Sequence, residues 1–174
     1  MIKFFTYFIS FIILLGLNIV FPKIAGAAPN FLFLIIVFYA FRKDNPIFLW
    51  LAFFAGIMLD IYSGSFFGSY TISLLVISFI INYTTRTFFT ADPTPEFISV
   101  VIIVAYIILI GLMYLLDSFA LGFGWTTYHI SPEYITSKIW LDIVLNLIFA
   151  LPIYYVVILN DRITAKYERP KNIL

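Results

Sequence analysis

The chain has 174 residues, of which 63% are hydrophobic and only 11% charged, with a formal net charge of +1 and a mean hydropathy of +1.07. A soluble domain of this size carries about 25% charged residues, so a water-exposed globule is excluded, and the near-neutral charge leaves no electrostatic footprint for nucleic acid. The absence of cysteine removes disulfides, thiolate nucleophiles and cysteine-ligated metals from consideration.

The apolar residues fall into runs of up to about 20, enough to cross a hydrocarbon core of roughly 30 Å. No short alternating strands of the kind found in membrane β-barrels occur. The expected fold is therefore all-α: a polytopic helical membrane protein with one domain over residues 1–174, ending in a short basic tail at 160–174. Six spans can be drawn, with five as the alternative.

The first span is Phe4–Phe21. Lys3, this apolar stretch and Ala25-Gly26-Ala27-Ala28 together imitate a cleavable secretory signal, the alternative reading here. The stretch is long for a signal core, so the segment is read as a retained helix. The second span is Ala27–Phe41, with Pro29 expected in the first helical turn, where a missing N–H costs nothing. The third is Ile47–Tyr62, opened by Pro46. Both are short, which predicts tilt, local thinning or a partly re-entrant path. The fourth is Phe66–Tyr83. The fifth, Phe97–Leu116, holds twenty residues without a charge. An outer connection, Asp117–Lys138, carries Phe119, Leu121, Phe123, Trp125 and Tyr128 and is expected to lie along the interface. The sixth span is Ile139–Leu159, in which Pro152 removes one backbone bond and should kink the helix.

Lys and Arg fix the orientation. Six spans put Lys3, Arg42, Lys43, Arg86, Arg162, Lys166, Arg169 and Lys171 on one side, and Lys23 and Lys138 on the other. Both termini are thus expected in the cytoplasm. The tail reads as a positive-inside anchor that favours anionic membrane lipids. Arg86 reads as a snorkelling anchor.

The most informative stretch is Gly56-Ile57-Met58-Leu59-Asp60-Ile61-Tyr62-Ser63-Gly64-Ser65-Phe66-Phe67-Gly68. Asp60 has a glycine four residues before it, four after and eight after, and Ala52 extends the series one turn earlier. Small residues at i, i+4 open a groove for a neighbouring backbone. A carboxylate there costs about 2.5–3.5 kcal/mol at mid-bilayer, so it should face protein or water. Ala52, Gly56, Asp60, Gly64 and Gly68 are the candidate packing and partner-binding seam.

The other membrane-depth polar residues are Asn18, Asp142 and Asn146. At about 1.5 Å per residue, these three and Asp60 all fall in the outer half of the bilayer. Asp142 and Asn146 share a helix face. An outward-opening polar cluster is one reading, with Lys138 as counter-ion; interfacial placement and ordinary interhelical bonding is the other. His129 stands alone in the outer loop, which does not make a zinc site. No G-x-S-x-G elbow, H-E-x-x-H pair or P-loop occurs, and no cofactor is called for. An enzyme would rest on Asp60 and Asp142 alone.

At the Gly56–Gly68 stretch the chain resembles the rod-shape-determining MreD family of bacteria. That family has several membrane spans and a Gly-x-x-x-Asp step followed by a small, glycine-containing turn. The likeness extends to Pro29 at the second span and to Asn146 then Pro152 in the last. It implies a non-enzymatic subunit of the cell-wall elongation machinery in the cytoplasmic (inner) membrane. Such a subunit would bind the single-span scaffold protein MreC and connect MreB filaments to the wall glycosyltransferase and transpeptidase. The family's fold is similar to the substrate-binding subunits of energy-coupling-factor vitamin transporters, which supply the alternative function. Those subunits dock through small alanines on the first helix, and Phe4–Phe21 contains none.

Overall fold

The computed structural model describes residues 2–21, 23, 27–42, 47–88, 94–126, 133 and 137–168, and these are helical apart from turns and connections. Among them, six helices follow in chain order: α1 (Ile2–Val20), α2 (Phe31–Ala40), α3 (Ile47–Ser63), α4 (Ser69–Phe88), α5 (Pro95–Gly122) and α6 (Ile139–Glu168). Three stretches are long and apolar enough to cross a membrane: Ser69–Phe88, Glu96–Gly122 and Ile139–Ala165. The described apolar stretches of α1, α2 and α3 are shorter.

The architecture follows from α2. Its sequence, FLFLIIVFYA, has no polar face, and a helix that is apolar all round belongs in the interior. All ten of its residues are buried. Ten residues rise about 15 Å, half the hydrocarbon thickness, so α2 is a short central rod. It packs on α1, α3, α4 and α6, while the outer helices pair in the order α3–α4, α4–α5, α5–α6 and α6–α1. α1 belongs to this core through buried Tyr7, Phe11 and Leu14.

The circuit is loosest between α1 and α3, which meet far less closely than the other neighbours. A cleft of about 250 Å³ opens there, lined by apolar and aromatic side chains that include Phe8, Ile12, Trp50, Phe54 and Met58.

Several boundaries differ from expectation, each for a local reason. The second helix starts at Phe31 because Asn30 takes the N-cap, its side chain accepting the Phe33 N–H at 3.0 Å. Pro29 therefore precedes the cap and is not in the first turn. The fourth helix starts at Ser69, since Gly68 has φ +108° and cannot be helical. The fifth runs on to Gly122, so Asp117, Phe119 and Leu121 are helical, and Asp117 is fully buried rather than interfacial. α6 continues through Pro152 to Glu168. Ala25, Gly26, Lys43, Pro46, Tyr128, His129, Arg169 and Lys171 lie outside the described residues.

Candidate functional site

Two helices, α2 and α4, start where side chains from other elements must supply acceptors. The first four N–H groups of any helix lack intrahelical partners, and in lipid no water stands in. The predicted seam solves this problem for α4. Gly68 supplies the carbonyl that accepts the first helical bond, from the Ile72 N–H at 2.8 Å. It thus sits at the N-cap, where a side chain would normally accept from the second or third helical N–H. Glycine has no such side chain, and Asp60 of α3 does the task instead. Its Oδ1 accepts the Tyr70 N–H at 2.8 Å. Its Oδ2 accepts the Thr71 N–H at 3.2 Å and the Thr71 hydroxyl at 2.6 Å. The Ser69 N–H goes to the Phe66 carbonyl at 3.0 Å.

The glycines around Asp60 have distinct reasons. Gly56 lies against the α4 backbone: a Cβ there would sit 2.3 Å from Thr71 Cα. Gly64 ends α3 with φ +71°, the left-handed conformation glycine adopts without penalty. Ala52 is fully buried on the same helix. The close approach that a seam of small residues permits is made within the chain, by α4.

A second carboxylate holds the hairpin from the far side. Asp117 of α5 accepts the Ser69 hydroxyl at 2.5 Å and the Phe66 N–H at 3.3 Å, both on Oδ1.

The four polar residues placed in the outer half divide into two groups. Asn18, Asp142 and Asn146 converge on the start of α2. Asn18 Oδ1 accepts the Phe31 N–H at 3.1 Å, Asn146 Oδ1 the Asn30 N–H at 2.9 Å, and Asp142 Oδ1 the Ala28 N–H at 3.3 Å. Asn146 also donates to the Asp142 carbonyl at 2.9 Å. Asp60 stands with α4 instead. Lys138 is exposed, and its carbonyl takes the Leu141 and Asp142 N–H groups.

The other end of α2 is held as well. Asn82 of α4 donates to the Ala40 and Arg42 carbonyls at 2.9 and 3.2 Å. Arg42 pairs with Asp161 of α6. Asn160 donates to the Tyr39 hydroxyl at 2.9 Å and accepts from Ser10 at 3.0 Å, joining α1, α2 and α6. Sequence reading gave no such role to Asn30, Asn82, Asp117, Asn160 or Asp161. Asn30 had a usable signal, an Asn directly before an apolar run. The rest act across helices and leave no local pattern.

Chemically, these carboxylates and amides are acceptors and donors for backbone and hydroxyl groups, an arrangement that positions helices. Among the described residues no three His, Asp or Glu side chains gather as a metal site would require.

A family model described as rod shape-determining protein MreD matches residues 1–158. No curated protein and no solved structure matches the chain.

Proposed function

The chain belongs to the rod shape-determining MreD family, and from that premise we propose that it is the membrane subunit that holds a single-span, MreC-type scaffold protein in the cell-wall elongation complex. A role in rod-shape determination comes with the family. In this reading the subunit is non-enzymatic and sits in the cytoplasmic (inner) membrane with six helices inserted and both termini inside. Through its partner it connects MreB filaments to the wall glycosyltransferase and transpeptidase.

The observation that carries the reading is the family match, which extends over residues 1–158. The geometry adds support. Asp60, Asn18 and Asn146 are spent on helix starts, so what the chain offers a partner is shaped apolar surface. One face of α3 is taken by α4 at Gly56. The opposite face presents Trp50, Phe54 and Met58 toward the α1–α3 cleft. We place the partner's helix in that cleft, where apolar side chains on both walls fit a membrane-spanning helix laid between them.

Purification of the tagged protein in mild detergent tests the reading. A single-span protein with a periplasmic coiled coil should be retained. Recovery of the chain alone, from cells that make that protein, would overturn it.

A further inference from the structure

Pro152 lies inside α6 and has no N–H to give. The Ile148 carbonyl, four residues back, therefore lacks its helical donor. No side chain of the described residues donates to it. Ile148 is nine residues from the outer end of α6 at Ile139, a rise of about 14 Å, so its oxygen stands near the middle of a hydrocarbon core of roughly 30 Å. Backbone groups that proline frees at such depth are ordinarily taken up by neighbouring helices or hydroxyl side chains, because lipid tails offer no donor.

Within this chain the neighbours are on the wrong side. α6 packs on α1, α2 and α5, and buries Ile143, Asn146, Ile153, Val157 and Asn160. The opposite face steps through Val144, Ile148, Leu151, Tyr155 and Leu159, which are between 49% and 67% exposed. Pro152 is exposed as well. A helical carbonyl points along the axis toward the residue four ahead. The free oxygen therefore lies on this outward face, between Ile148 and Pro152. The face is distinct from the cleft whose walls are α1 and α3.

We propose that the Val144–Leu159 face of α6 is a second docking surface, and that it receives a membrane-spanning helix of another protein with an uncharged donor, a hydroxyl or an amide, near its middle. The argument is charge complementarity: an oxygen of partial negative charge, out of reach of water, is matched by a donor hydrogen at the same depth. Lipid tails cannot supply that hydrogen. A lysine or arginine could, but only by bringing a full charge to mid-bilayer. A second copy of this chain does not fit either. A two-fold axis along the membrane normal sets like residues at like depth, and at the level of Ile148 this face holds only Val144, Ile148 and Leu151. The nearest hydroxyl on it, Tyr155, lies about 10 Å further along α6.

Energy transfer in lipid vesicles tests the surface with the intact protein. The chain has no cysteine, so Lys138→Cys takes a single fluorophore at the outer end of α6. The acceptor is a labelled leucine helix of about 20 residues carrying one central asparagine, compared with an all-leucine helix. The asparagine helix should be recruited about three- to tenfold more strongly, the worth of one interhelical hydrogen bond in lipid. Pro152→Ala and Pro152→Gly each give the Ile148 carbonyl its N–H back, and each should abolish that preference; a melting temperature measured for each confirms that it is folded. Equal recruitment of the two helices by wild type would overturn the proposal, as would a preference that survives both substitutions. Transfer between labelled copies without any peptide, lost in Pro152→Ala, would also overturn it by giving the face to a second copy.

Discussion

The starts of α2 and α4 face the same difficulty and meet it with different chemistry. At α2, amides hold the helix start itself, with Asn18 and Asn146 reaching in from α1 and α6 and Asn30 capping its own helix, and the one carboxylate, Asp142, takes the Ala28 N–H just before it. At α4, two carboxylates do it: Asp60 from α3 and Asp117 from α5. Hydrogen bonds to an ionised acceptor are roughly twice as strong as neutral ones. The α4 start also has a backbone contact that the α2 start lacks, Gly56 against Thr71. The contrast teaches that α2 is held by being surrounded, and the α3–α4 hairpin by its own lock.

That contrast makes the largest effect fall on Asp60. Asp60→Ala leaves two N–H groups and one hydroxyl without their acceptor, and should cost about 3 kcal/mol. Asp60→Asn should recover part of that loss. Thermal denaturation in one detergent compares them, and an Asp60→Ala protein as stable as wild type would break the account of the lock. Asn146→Ala should cost less, about 1 kcal/mol, the usual range for an interhelical bond in a membrane protein. If the two losses came out equal, the distinction between charged and neutral capping would fail. Gly68→Ala has room for its methyl group but must hold φ +108°. It should lose about 1 kcal/mol from backbone strain alone. The smallest effect on stability belongs to the cleft: Trp50→Ala with Phe54→Ala should leave the melting temperature within a few degrees of wild type. The pair should nevertheless reduce recovery of the proposed single-span partner on co-purification, and undiminished recovery would move the proposed docking site elsewhere.

The fold class and the six helices were legible because apolar runs are properties of the chain itself. The Gly-x-x-x-Asp step was legible as a tight contact, since the spacing of Gly56, Asp60, Gly64 and Gly68 is local. What filled the contact was not, because Thr71 is reached only after a turn whose geometry depends on two positive φ angles. Asp117 was misplaced in the outer connection for a related reason. A carboxylate at the end of an apolar run reads as the start of water, and only the hairpin folded against it shows why it is buried. Asn18 and Asn146 were legible as sharing a depth, but not as sharing the start of α2. That protein surrounds α2 on every side was not legible, because an apolar run says how long it is, not what surrounds it.

The central claim is that the notch at Gly56 is filled by α4 of the same chain. It is tested most directly by the melting temperatures of Gly56→Ala and Gly16→Ala, each purified without any partner. A Cβ at Gly16 meets nothing within 4 Å, whereas one at Gly56 meets the Thr71 backbone. The account predicts that Gly16→Ala melts with wild type or slightly above it, and that Gly56→Ala loses about 2 kcal/mol through overpacking. A Gly56→Ala protein that melts like wild type, yet no longer retains its partner, would contradict the account and assign the notch to another protein's helix.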